Sequence, residues 1–234
     1  MGTTAVASAP TSKSRRGRPR RLLLFVHYNK WGELADYVVY LLKRIRKVYA
    51  RMVFISNSPL TEEARAVLSA LCDEVVEREN TGFDFYAWKV ALDREGPEGL
   101  ARYDSVTLMN DTCFGPLFDL EAVYRKMEAQ GADFWGLTNH REKVGEDLLA
   151  TDGCIPEHIQ SYFLCFKKET ALSEPFTKFW RNVAPETDVV ACIKKYETQL
   201  TRYFSTLGFT PAVYCDVAGG DLAVSNVTTQ DPAY

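Results

Sequence analysis

The chain has 234 residues, 46% hydrophobic and 25% charged, so one large α/β domain or two small ones can bury a core without disulfides or metals. A formal net charge of −3 argues against a general polyanion binder. Six cysteines, at 72, 113, 154, 165, 192 and 215, form no CxxC or Cys/His cluster, which argues against structural zinc and for reduced core thiols in a cytosolic protein.

Residues 1–21 carry Lys13, Arg15, Arg16, Arg18, Arg20 and Arg21 and no acid, among Ala, Ser, Thr, Pro and Gly. Such a segment cannot offset its ordering entropy, and a disordered basic tail is expected. No apolar h-region with a cleavage site follows, so it is not a signal peptide. Within it, "RRGRPRR" (15–21) is similar to an AT-hook, a minor-groove arginine segment. A solvated tail, or one resting on an anionic membrane surface, is the competing reading.

"RLLLFVHYN" (21–29) is the nearly continuous apolar run of a strand buried on both faces. Leu34, Tyr37, Val38, Leu41, Leu42 and Ile45 then recur at helical spacing, with Lys43, Arg44, Arg46 and Lys47 where cations suit the helix dipole. "RMVFISNS" (51–58) predicts a second strand, and "LTEEARAVLSALC" (60–72) a second helix capped by Thr61. "DEVVER" (73–78) predicts a third strand. "NTGFDFYAWKVAL" (80–92) is a loop entering a helix, and "YDSVTLMN" (103–110) is the fourth strand. A helix around 119–129 puts Leu120, Val123, Tyr124 and Met127 on one side.

"DFWGLT" (133–138) and "IQSYFLCFKK" (159–168) predict further strands. The polar loop 139–157 between them is long enough to suggest a lid or binding loop. Ser173 and Pro175 open a helix over 173–183. Residues 188–209 predict one more helix, closed by Gly208. "TPAVYCD" (210–216) ends the well-patterned part. We therefore expect a single domain over 22–225 and a frayed end at 226–234. No run approaches the about 20 apolar residues of a spanning helix.

Strands and helices alternate through the first half, which predicts an α/β fold with a mostly parallel sheet covered on both faces. Ligands of such sheets bind beyond the carboxyl ends of the strands. That places attention on Asn29, Ser56 to Ser58, Asn80 to Asp84 and Asn110 to Thr112. Asp111 is either a capping residue in a polar turn or a carboxylate holding Mg²⁺ or Mn²⁺ against phosphate oxygens. Gly82 either permits close approach to a ligand or is a loop glycine before a helix that packs Phe85 and Trp88. Asp84 could accept hydrogen bonds from a sugar hydroxyl. Glu197 lies beside Leu200, Tyr203, Phe204 and Leu207, and is either an exposed helical glutamate or a base bordering the core.

The pieces "VHYN", "FISNS", "ENTGFDFYAW", "YDSVTLMNDTCFGPL", "DFWGLT", "HIQSYFLCF", "FW" and "YETQLT" occur in order over about 22–210. As a set they resemble the rhamnan synthesis F family of bacterial polysaccharide glycosyltransferases. The resemblance implies a GT-A-like, Rossmann-type sandwich. It sets "MNDT" where GT-A enzymes carry the DxD-type metal motif, here with Asn110 in place of the first acid and Asp111 as metal ligand. It makes Glu197 the general base of an inverting displacement. It gives a donor-binding set of His27, Asn29, Asn57, Asn80, Gly82, Asp84, Asn110, Asp111, His158 and Gln160. It further implies dTDP-rhamnose as donor, a divalent cation (Mn or Mg) and a growing, lipid-linked polysaccharide as acceptor. The basic face near Lys43 to Lys47 and the basic tail suit a cytoplasmic enzyme held peripherally at the inner membrane surface. A non-catalytic nucleotide-sugar or glycan binder, and a DNA-associated protein working through its tail, are the readings from other classes.

Overall fold

The computed structural model describes residues 17–216. Strand β1 (Arg21–His27) runs through the middle of the molecule with all seven residues buried. Leu22, Leu24 and Val26 feed one core and Leu23 and Phe25 the other, which is why its sequence shows no polar alternation. Helix α1 (Asp36–Ile45), strand β2 (Arg51–Ser56), helix α2 (Glu62–Leu71), strand β3 (Glu74–Glu77), helix α3 (Phe83–Leu100) and strand β4 (Ser105–Asn110) follow. β1 pairs in parallel with both β2 and β4, and β2 with β3, so each helix is a crossover. Thr61 caps α2 as expected, accepting from the Ala64 N–H at 3.2 Å.

The second half adds helix α4 (Leu120–Ala129), strand β5 (Phe134–His140), the hairpin strands β6 (Lys143–Val144) and β7 (Cys154–Ile155), and strands β8 (His158–Ile159) and β9 (Phe163–Lys167). Helices α5 (Lys168–Ala171), α6 (Glu174–Arg181), α7 (Val189–Cys192) and α8 (Thr198–Thr206) lead to strand β10 (Pro211–Cys215). β9 enters antiparallel between β4 and β5, while β10 pairs in parallel with β5 at the edge. The sheet order is therefore β10-β5-β9-β4-β1-β2-β3, with β8 beside β5. α1, α2 and α4 cover one face; α3, α6 and α8 cover the other. This is a mixed α/β sandwich around a mostly parallel sheet. Among the described residues no helix is long and apolar enough to cross a membrane.

Four details depart from the sequence reading. Residues 188–209 do not form one helix, because Ile193–Glu197 takes a π-helical turn between α7 and α8. Residues 211–215 are a sheet strand, whose polar and half-buried flanks hid its alternation. Of the six thiols only Cys165 and Cys192 are buried, and all six are free. Finally, Arg21 is no tail residue. It opens β1 in full burial, with Nη1 3.1 Å from Glu121, Nη2 2.9 Å from Glu128, and its guanidinium 4.2 Å over the Tyr124 ring. Arg18 also pairs with Glu121 at 3.1 Å, and the Arg20 N–H donates to Asp104 at 2.7 Å. Of the AT-hook-like stretch, the Arg18 and Arg21 side chains thus pair with the domain's own acids, and the Arg20 guanidinium lies 5.7 Å over the Tyr103 ring. The remainder of the expected tail, 1–16, and the expected frayed end, 226–234, lie outside the described residues.

Candidate active site

A cleft of about 1280 Å³ opens at the carboxyl ends of β4 and β5. It lies where parallel-sheet crevices are expected, beside the point where connections diverge from β1. Its floor comes from three separate segments. β4 ends in Asn110, α3 begins beside Asp84, and the π-helical turn ends in Glu197.

Asn110 Nδ2 donates to Asp84 Oδ2 at 2.8 Å. Its Oδ1 accepts from the Thr112 N–H at 3.2 Å and from Thr112 Oγ1 at 2.7 Å. The asparagine is thereby fixed in one amide orientation, with its donor turned to the aspartate. Burial pushes the Asp84 carboxyl up to about 6. The Asn110 hydrogen bond opposes that rise, while the charges of Asp111 and Glu197 add to it. Glu197 Oε1 accepts from the Ser161 N–H at 3.1 Å, which ties the helical turn to the segment entering β9. A π turn inserts one residue into the helix and re-aims the side chains at its end, a frequent device at functional sites. On the far wall, Thr138 Oγ1 lies 2.7 Å from both Gln160 Oε1 and the Tyr162 hydroxyl.

Asp84, Asn110, Gln160 and Glu197, all singled out from sequence, line this cleft. The other seven do not. Asp111 turns its carboxylate to the buried His27 ring, whose Nε2 faces the Glu33 carbonyl at 3.2 Å. The Tyr37 hydroxyl donates to the Asp111 carbonyl at 2.9 Å, on the α1 side of the sheet. Asn29 caps its own loop, accepting from the Trp31 and Glu33 N–H groups at 2.8 and 3.2 Å. Asn57 is buried and accepts from Arg78 at 2.5 Å. Asn80 is half-buried before α3. Gly82 has φ +75°, and its close approach is to the protein itself: a Cβ there would sit 2.5 Å from Tyr86 Cβ and 2.8 Å from Pro185 Cα. His158 is buried behind the wall, stacked on His140 at 5.1 Å, with Nδ1 donating to the Pro156 carbonyl at 2.7 Å. Burial drives its pKa down, against that carbonyl and the Glu197 charge.

Sequence reasoning missed Thr138, Ser161 and Tyr162, because strand patterning explains them without a site. It also missed which residues of 139–157 matter. Arg141, Lys143, Asp147 and Leu149 from that stretch line the cleft. The unusual length of the connection was the available signal.

Among the described residues no group of three or more His, Cys, Asp or Glu side chains is disposed to hold a metal ion. The carboxylate facing the cleft beside Asn110 is Asp84, not Asp111. Such a donor set suits a magnesium-type ion carried mainly by phosphate oxygens and water, with one or two protein carboxylates.

The fold and its cleft define a Rossmann-type α/β protein with an acidic pocket at the strand ends. The sequence profile described as Rhamnan synthesis protein F matches residues 52–234, and the chain belongs to that family. It is 27% identical over 163 residues to the uncharacterized protein y4gN of Sinorhizobium fredii, covering 68% of this chain and 39% of that one. It is also 27% identical over 149 residues to the virulence protein VirA of Vibrio anguillarum, covering 62% and 43%. The chain thus spans about two fifths of the length of these relatives. Among solved structures, the 4-diphosphocytidyl-2C-methyl-D-erythritol synthase of Anaerococcus prevotii shares the fold, with TM-score 0.50 at 10% identity over 85% of this chain and 87% of that one.

Proposed function

We propose that this chain is an inverting glycosyltransferase that moves a sugar from a nucleoside diphosphate donor to a hydroxyl of a growing cell-surface polysaccharide. The observation that carries the reading is the convergence of Asp84, Asn110 and Glu197 on one cleft at the strand ends, joined to membership of the rhamnan synthesis F family. L-Rhamnose from its dTDP donor is the sugar that family membership favours.

Glu197 is the base. Its Oε1 is held by the Ser161 N–H, which leaves Oε2 to take the proton of the acceptor hydroxyl. The freed oxygen attacks the anomeric carbon as the bond from that carbon to the diphosphate oxygen breaks, and the nucleoside diphosphate leaves. Asn110 orients Asp84 at the diphosphate end of the cleft. A divalent cation, Mn²⁺ or Mg²⁺, when bound there, offsets leaving-group charge. Thr138, Gln160 and Tyr162 supply a hydroxyl- and amide-rich wall suited to sugar hydroxyls. The exposed Lys43, Arg44 and Lys47, with Arg18 donating to the Lys47 carbonyl at 2.5 Å, form a basic end that would rest on the anionic inner face of the membrane. Equal sedimentation with neutral and anionic vesicles would remove that part.

The test is a thermal-shift series with dTDP, UDP and GDP, with and without Mn²⁺, followed by turnover of Glu197→Gln. A ligand that binds only the native state raises stability by about RT ln(1 + [L]/Kd), so a donor site declares itself. Expected are a shift with dTDP and a variant that keeps this shift while losing turnover by about a hundredfold or more. No shift with any nucleotide overturns the reading. A Glu197→Gln variant with full turnover removes the assigned base.

A further inference from the structure

The floor of the cleft is negative, through Asp84 and Glu197, yet the proposed donor carries a diphosphate. The arginine and lysine among the residues lining the cleft are Arg141 and Lys143, and both belong to the segment that carries the β6–β7 hairpin. This segment is footed on the sheet, since Asn139 and His140 of β5 pair with Ile159 and His158 of β8. Arg141 follows directly on the last paired residue, so its backbone is fixed relative to the floor. Lys143 opens β6, which pairs with β7 through Lys143 to Ile155 and Val144 to Cys154.

Lys143 Nζ lies 2.5 Å from Asp147 Oδ2, and Asp147 Oδ1 accepts from the Leu149 N–H at 2.9 Å. Asp147 lines the cleft too, so a carboxylate occupies the lysine at the place where an anion would enter. The lysine side chain is 57% exposed. An ion pair in that setting is weak, and the two charges of a donor diphosphate can displace it.

We infer that the hairpin segment is the phosphate-recognition element of this cleft, with Arg141 and Lys143 gripping the diphosphate and Lys143 exchanging Asp147 for it. The inference rests on the nucleotide-donor reading above and adds its anion site. Arginine supplies a planar fork matched to two phosphate oxygens, and lysine a mobile point charge. The Asp84 and Glu197 carboxyl groups on the floor make this compensation necessary, because they would repel an uncompensated diphosphate.

Calorimetric titration of the full chain with dTDP, UDP and thymidine, in Mg²⁺ and in EDTA, tests the inference. The variants are the double Arg141→Ala/Lys143→Ala, the single Lys143→Gln and Asp147→Asn. Expected is a loss of at least about tenfold in nucleoside diphosphate affinity for the double variant. Lys143→Gln, at an exposed position, shows a smaller loss and keeps the test open should the double variant fail to fold. Thymidine, which lacks phosphate, binds all forms alike, and Asp147→Asn binds diphosphate at least as tightly as wild type. Variants within twofold of wild type would overturn the hairpin assignment and leave the donor reading standing. Wild type that binds no nucleoside diphosphate overturns the donor reading, and the hairpin assignment with it.

Discussion

Asp84 is the residue on which stability and function pull in opposite directions. Its carboxyl is lifted from an ordinary 3.8 to about 6, chiefly by burial. Between those values the native chain holds a proton that the unfolded chain has lost, so stability falls as pH rises through the window. Below 3.8 both states are protonated and the contribution is whole. Above 6 both are ionised and it is gone, a difference of about 1–3 kcal/mol. Asp84→Asn keeps an acceptor for Asn110 but cannot ionise. Urea denaturation at pH 4 and pH 7.5 should find the variant near wild type at the lower pH and more stable at the higher. The same variant should bind a diphosphate donor with cation more weakly, since it removes the carboxylate facing the cleft. A stability difference between wild type and Asp84→Asn that is the same at pH 4 and pH 7.5 would show that Asp84 is not the group holding this proton.

At the scale of elements, Gly82 joins β3 to α3 and is fixed by packing. It sits in the left-handed region at φ +75°, and its N–H donates to the Glu186 carbonyl at 3.0 Å. A methyl group there meets Tyr86 and the Pro185 backbone well inside contact distance. Gly82→Ala should therefore cost at least about 2 kcal/mol in denaturant unfolding, from backbone strain and crowding together. A cost below about 0.5 kcal/mol would show that the loop yields. The elements whose apolar period is unbroken, such as β1 and α1, were legible from sequence because burial on one or two faces writes directly into residue order. Asp84, Asn110 and Glu197 were legible because polar groups at strand ends and beside an apolar face stand out. The π turn that aims Glu197 was not, since one extra residue in a helix leaves the spacing of Leu200 and Phe204 unchanged. Asp111 was misplaced for a related reason: it follows the last residue of β4, and only the fold reveals that the bend there turns it to His27 and Tyr37 and not to the cleft.

Across the whole molecule, the first strand and the distant helix α4 are locked together through Arg21. Its guanidinium reaches Glu121 and Glu128, separated from it by 100 and 107 positions, over the face of Tyr124. The arginine side chain is 1% exposed, whereas Glu121 and Glu128 are 20% and 39% exposed. Removing the arginine leaves two carboxylates that water can partly resolvate, so the cost falls short of that for a fully buried pair. Arg21→Met keeps the volume and should lower stability by about 1–3 kcal/mol. Adding Glu121→Gln and Glu128→Gln should recover much of that loss, because the triple variant no longer strands a charge beside the sheet. A chain beginning at Leu22 should lose more than one beginning at Gly17. It gives up the Arg21 contacts, the Arg18 pair with Glu121, and the Arg20 N–H bond to Asp104 at the same time. Equal melting temperatures for those two chains would show that β1 is held by its neighbours β2 and β4 alone. Unequal ones would mean that the basic start of the chain is part of the fold that positions the cleft.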